Sequence, residues 1–241
     1  MAFTLFISDL HLSESHPRTT EQFLHFVRDV APQAEALYIL GDLFEYWAGD
    51  DDLDTPFHRQ ICSALATLSD SATRLYIMHG NRDFLMDEAL AAACKAQLLS
   101  DPILVELYGQ PTLLTHGDTL CTGDSAYQQF RAMVRSPDWR SQFLSQPLNR
   151  RKAMIEQLRT QSEQSKRSKE MDIMDVTNDA VLQLLRQHDF PRLIHGHTHR
   201  PAKHIHHADG RACERWVLGD WDTQANALQV DGNGIGWLQF S

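Results

Sequence analysis

Five short apolar runs in this chain each stop at a metal-capable side chain. Phe3–Ile7 leads into Asp9-Leu10-His11, Ala36–Leu40 into Gly41-Asp42, and Arg74–Met78 into His79-Gly80-Asn81-Arg82-Asp83. Thr112–Thr115 leads into His116-Gly117-Asp118, and Arg192–His195 into Gly196-His197-Thr198-His199. Length, branching and aromatic content mark these runs, with Trp216–Leu218, as strands. Helical stripes stand between the early ones: Phe23, Phe26, Val27 and Val30 in 19–30, and Ile61, Leu65 and Leu68 in 57–68. Strand–helix–strand alternation predicts right-handed crossovers and a largely parallel sheet. Ligands of such sheets gather outside the carboxyl ends of the strands, so five strand ends bearing His, Asp or Asn point at one crevice.

The second half has a different texture. Tyr108-Gly109-Gln110-Pro111, Ala208-Asp209-Gly210 and Asp231-Gly232-Asn233-Gly234 read as hairpin turns, so antiparallel strands join and the fold class is α/β (α+β), with a mixed sheet or a two-sheet sandwich. Residues 125–170 read as a helical insertion, one helix around Tyr127, Phe130, Met133 and Val134 and another from Arg151 to Met174, with Pro137 and Pro147 as interruptions. We expect one domain over 1–241 that includes this insertion.

Asp9 and His11 are two apart, as are His197 and His199, which on an extended backbone turns both members of a pair the same way. Seven candidate ligands (Asp9, His11, Asp42, Asn81, His116, His197 and His199) are too many for one ordinary ion. Two dications, two carboxylates and a bridging hydroxide leave about +1, which attracts a phosphoryl oxyanion. The four cysteines, Cys62, Cys94, Cys121 and Cys213, are scattered, without C-x-x-C, which predicts reduced thiols in an intracellular chain. The N-terminus lacks the basic region of a signal peptide, and no uncharged stretch approaches the ~20 residues of a membrane span.

The net charge of −10 argues against a general nucleic-acid binder, and it is unevenly shared. Residues 131–170 carry 10 basic and 4 acidic side chains; the remainder carries 12 and 28. The insertion therefore stands at +6 against −16. Arg159, Ser162, Lys166 and Lys169 fall within about 80° of one another on a helical wheel, a face suited to gripping an anion. Tyr127, Phe130, Phe143, Leu144, Ile155 and Leu158 supply an apolar groove. Asp50-Asp51-Asp52 reads as a solvated turn.

The ordered blocks Asp9-x-His11, Gly41-Asp42, Gly80-Asn81-Arg82-Asp83, His116 and Gly196-His197-x-His199 resemble the calcineurin-like metallophosphoesterase family. That resemblance implies a four-layer αββα sandwich with a dinuclear centre, in which Asp9, His11 and His199 hold one ion, Asn81, His116 and His197 the other, and Asp42 bridges. Many members carry a histidine proton donor after the asparagine; here the position is Arg82, which stays protonated and suits charge stabilisation. The Gly-Asn-Arg-Asp form, Leu37–Glu45, His116–Thr122, Leu193–Pro201 and Val217–Trp221 resemble the UDP-2,3-diacylglucosamine pyrophosphohydrolases of lipid A synthesis. This narrower resemblance implies two Mn²⁺ ions and a bridging hydroxide that attacks the α-phosphorus, giving UMP and the acylated sugar 1-phosphate (lipid X). Asp42, Asn81, Arg82 and His197 carry the chemistry. By the same resemblance the insertion would be a lid that places Asp124, Arg159, Ser162, Lys166 and Lys169 near the substrate, though the family often has asparagine where Lys166 stands. It also implies peripheral contact with an anionic membrane surface, on the cytoplasmic side of the inner membrane, and no obligate protein partner.

Overall fold

The computed structural model describes residues 2–168, 175–222 and 225–240, with side chains of the chain's longest helix described to position 160. Six strands form one sheet: β1 (Phe3–Ile7), β2 (Ala36–Leu40), β3 (Arg74–Met78), β4 (Gln97–Leu99), β10 (Asn226–Asp231) and β11 (Gly234–Gln239), in the order β11-β10-β1-β2-β3-β4. Five form the other: β5 (Ile103–Leu107), β6 (Gln110–Thr115), β7 (Arg192–His195), β8 (Ala202–Ala208) and β9 (Arg211–Val217), in the order β5-β6-β7-β9-β8. β1 to β4 run parallel, as do β6, β7 and β9, while β5–β6, β8–β9 and β10–β11 are antiparallel hairpins. The three hairpin turns fall where the sequence puts them. Tyr108-Gly109 and Asp209-Gly210 take the left-handed pairs of dihedrals that match strand twist.

Alternation along the strands builds the layers. Leu5 and Ile7 of β1 with Leu37 and Ile39 of β2 face Phe23 and Phe26 near α1 (Pro17–His25) and Ile61 and Leu65 of α2 (Pro56–Asp70). The intervening residues, Phe6, Tyr38 and Leu40, face Leu114, Ile194 and Trp216 of the other sheet. That sheet's outer residues, Leu113 and Leu193, meet Val181 and Leu185 of α7 (Asn178–Gln187). The order is helix, sheet, sheet, helix.

The insertion comprises α4 (Ser125–Val134), α5 (Pro137–Leu144) and α6 (Leu148–Ser168). Pro137 opens a helix rather than interrupting one: it occupies the first turn, where no N–H is needed, and Ser136 Oγ accepts from Trp139 N at 3.3 Å. Phe143 is 2% exposed, and Leu144 and Ile155 pack against the main core, so these three anchor the insertion instead of lining a groove. On α4, Phe130 and Met133 stay exposed. No helix among the described residues is long and apolar enough to cross a membrane.

Candidate metal centre

Both sheets deliver strand ends to one edge. Across the sandwich, His116 Nδ1, just after β6, donates to Leu40 O of β2 at 2.9 Å, and His197 N, after β7, donates to Asp9 Oδ2 at 2.9 Å. The backbone at this edge is unusual. Asp9, His11, Asp42, His197 and His199 all have positive φ, between 49° and 70°, in a region that L-residues seldom occupy. Asp9 and His11 therefore do share a site, but through two left-handed turns and not through an extended backbone; His197 and His199 repeat this. Close approach explains two glycines: a Cβ on Gly80 would overlap the Asp42 carboxylate, and one on Gly196 the Asp9 carboxylate.

Three imidazoles turn their outer nitrogens toward acceptors. His11 Nδ1 lies 3.2 Å from Glu45 Oε2, His199 Nδ1 lies 2.9 Å from Asp220 Oδ2, and His116 Nδ1 donates to a carbonyl. Each outer partner is an acceptor, so the proton of the neutral ring sits on Nδ1 and the Nε2 lone pair turns inward. His11 Nε2 and His199 Nε2 stand 3.3 Å apart, and His116 Nε2 is 3.0 Å from Asn81 Oδ1. Asp42 Oδ2 is 3.9 Å from both His11 Nε2 and His116 Nε2. Donor atoms of Asp9, His11 and His199, and of Asp9, Asp42 and His116, form two sets, each lying within 4.8 Å. His197 joins the second side, its ring 5.0 Å from that of His116. The set of imidazole nitrogens, carboxylates and an amide oxygen, without thiolate, fits hard to borderline dications such as Mn²⁺, Fe²⁺ or Zn²⁺.

Electrostatics give the same fit. Burial alone would lower His116, but Asp42, Asp9 and Asp118 hold it up at about 9. Burial likewise opposes charge on His199, yet Asp220 and Asp9 raise it to about 10. The carboxylates recruit protons where cations would sit. Burial and the charge of His116 push His197 down to about 3. Burial would raise Asp9, but His199 and His116 bring it well below the usual carboxylate range.

The calcineurin-like phosphoesterase family model matches residues 4–201. The chain belongs to the calcineurin-like phosphoesterase family. It is a metal-dependent hydrolase. Three similar proteins are named UDP-2,3-diacylglucosamine hydrolase. That of Aromatoleum aromaticum is 54% identical over 230 residues, covering 95% of this chain and 94% of its own. That of Pseudomonas paraeruginosa is 50% identical, covering 95% of each chain, and that of Edwardsiella ictaluri is 49% identical, covering 98% and 92%.

Around this calcineurin-like centre the structure adds residues that no spacing rule marks. Glu45 is the foremost. Its Oε1 accepts from Arg82 Nη1 at 2.9 Å and Arg159 Nη2 at 2.7 Å, while its Oε2 faces His11. Burial would raise it; His11, Arg82 and Arg159 hold it down at about 2. Asp220 orients His199. Asp83 accepts from the backbone N–H of Gly80 at 2.8 Å and Leu43 at 2.8 Å, clamping the β2 and β3 loops together; burial and the neighbouring Asp42 push it up to about 7. Asp118 ties α4 to the site by accepting from Tyr127 Oη at 2.8 Å and Arg131 Nε at 2.7 Å.

Of the expected substrate contacts, Arg82 and Arg159 meet at Glu45, and Asp124 caps α4 by accepting from Tyr127 N at 3.1 Å. Ser162 and Lys166 lie on α6 beyond the described side chains, and Lys169 lies outside the described residues. Among the described side chains of the insertion, several cations already have carboxylate partners. Arg131 pairs with Asp118, Arg140 with Asp87, Arg151 with Asp51, Lys152 with Asp52 and Arg159 with Glu45. The Asp50-Asp51-Asp52 turn is accordingly not simply solvated: Asp52 is fully buried, and Asp50 accepts from Trp47 Nε1 and Leu90 N.

Proposed function

We propose that this chain hydrolyses the pyrophosphate bond of UDP-2,3-diacylglucosamine to UMP and 2,3-diacylglucosamine 1-phosphate, with Mn²⁺, in lipid A biosynthesis. The observation that carries the reading is the set of inward-facing Nε2 atoms around two buried carboxylates. Near-full-length likeness to the named hydrolases supports the choice of substrate.

Asp9, His11 and His199 would hold one ion and Asn81, His116 and His197 the other. Asp42, whose carboxylate is equidistant from His11 Nε2 and His116 Nε2, would be the ligand shared between the two ions. Bound there, divalent ions would supply a water acidified toward neutrality and positive charge for the phosphoryl oxygens. In the net hydrolysis a water oxygen would bond to the α-phosphorus, its proton passing to solvent, as the bond from that phosphorus to the bridging oxygen breaks. Its electron pair leaves on the sugar 1-phosphate. That leaving group is a phosphate, stable as an anion without being protonated at once. A permanently charged Arg82 therefore suffices where an alcohol leaving group would call for an acid. Asn81 and His197 steady the phosphoryl group alongside it.

Residues 125–170 act as a lid within a single domain spanning 1–241. Arg159, Ser162, Lys166, Lys169 and Asp124 contact the substrate, and exposed Phe130 and Met133 offer apolar surface to the acyl chains. The protein works at the cytoplasmic face of the inner membrane as a peripheral protein, held by lid and lipid. Incubation with UDP-2,3-diacylglucosamine, a cyclic nucleotide and a phosphopeptide, each with Mn²⁺ and with chelator, tests this. Mn²⁺-dependent turnover of the first alone is expected; comparable turnover of the others overturns the substrate assignment.

A further inference from the structure

Among the described residues, most arginines that lose water on folding gain a carboxylate. Arg82 and Arg159 share Glu45, Arg131 has Asp118, Arg151 has Asp51 and Arg192 has Glu214. Arg215 does not. It is 7% exposed, its Nε donates to His206 Nε2 at 2.9 Å, and its Nη1 donates to His195 Nε2 at 3.0 Å. His195 Nδ1 faces Gly196 O at 2.9 Å, so that ring carries its proton on Nδ1 and accepts at Nε2. Arg215 thus bonds to ring nitrogens and has no ion pair among the described residues, with the charge of Asp175 favouring its cation from farther off, a costly state for a buried guanidinium.

Arg215 lines a cavity of about 220 Å³ together with Thr198, Arg200, Asp175, Pro201 and Val217. Thr198 sits between His197 and His199 in the chain, so one wall of this cavity adjoins two of the candidate metal ligands in sequence. Its walls combine three chemistries. Arg215 and Thr198 offer donors, Asp175 offers a carboxylate held by Arg200 at 2.6 Å, and Pro201 and Val217 offer apolar faces. The volume is below the ~300–1,000 Å³ of sites for whole drug-sized ligands, and takes a single ring rather than a lipid. A phosphate would suit Arg215 but meet Asp175; a neutral ring with carbonyl acceptors flanking an N–H suits both.

We propose that this cavity is a base subsite, which takes the uracil ring of the nucleotide half of the substrate while the phosphates stand at the metal centre. The inference rests on the substrate reading above, and its test is separable from it. UMP and CMP present the same phosphate to the metals, but cytosine replaces one carbonyl acceptor by an amino donor. Calorimetric titration of the Mn²⁺-loaded protein should show UMP binding roughly tenfold or more tighter than CMP. Arg215→Gln should bring the two affinities together. Ala202→Phe, which fills the cavity from β8 and leaves Arg215 and its histidines in place, should do the same by weakening UMP. Equal affinities in the wild type, or a preference that survives both substitutions, overturns the subsite. A UMP preference that stands while UDP-2,3-diacylglucosamine is not hydrolysed upholds the subsite and defeats only the substrate reading.

Discussion

At the strand ends, charge is gathered against its own repulsion. Asp9 and Asp42 are buried beside three imidazoles on left-handed backbone, and the cluster draws protons where cations belong. In α4 to α6 the opposite holds. Cations are numerous, yet Arg131, Arg140, Arg151, Lys152 and Arg159 each reach across to a carboxylate of the body. The first region leaves charge unbalanced so that metal ions can complete it; in the second, these five described cations are set against carboxylates of the body and fix the helical segment to it. A charge total does not separate these uses. Only the partners do, and Glu45 is where the two regions join.

Removing the shared ligand should have the largest effect. Asp42→Asn is expected to lower kcat by about 10³-fold or more with melting behaviour retained and fewer ions bound per chain, as steady-state kinetics and metal analysis would record. Glu45→Gln should touch both regions at once, reducing kcat/KM by about 10–100-fold and weakening Mn²⁺ binding through His11. An effect on KM alone, with metal affinity unchanged, would confine Glu45 to the lid.

Lys152→Met leaves the fully buried Asp52 without its cation at 2.5 Å. It should cost about 3 kcal/mol in urea unfolding and speed hydrogen exchange in α6 while leaving metal stoichiometry unchanged. For the metal-free protein, pH gives a directional test. His116 and His199 are raised to about 9 and about 10 from an ordinary 6.5. Their contribution to stability is complete below about pH 6.5 and is lost as pH rises through 9 to 10. The urea midpoint in chelator should fall across that window, and Mn²⁺ should reverse the trend by replacing the protons. The exposed pair of Lys95 with Asp70 marks the low end: Lys95→Ala should change stability by less than about 1 kcal/mol.

The sequence exposes what has a period or a spacing. The runs read as β1, β2, β3 and β7 coincide with the observed strands, and the hairpin turns foretell β8–β9 and β10–β11, because alternation and Gly-containing turns are local signals. The seven candidate donors are recognisable because each follows a strand. Their backbone is not: alternation suggests an extended Asp9–His11, whereas both residues are left-handed, a strain imposed by the packing of two sheets against each other. Glu45 and Asp220 act on single imidazoles from positions with no periodic relation to them, so only the folded chain pairs them. The +6 insertion is visible as a number, but its direction toward Asp51, Asp52, Asp87 and Asp118 depends on contacts 13 to 100 residues apart in sequence.

The most direct test of the proposed chemistry is mass spectrometry of the products formed from UDP-2,3-diacylglucosamine in H₂¹⁸O with Mn²⁺. Attack at the phosphorus beside uridine predicts one ¹⁸O in UMP and none in the acylated sugar 1-phosphate. Label in the sugar phosphate, or no cleavage at all, would contradict it.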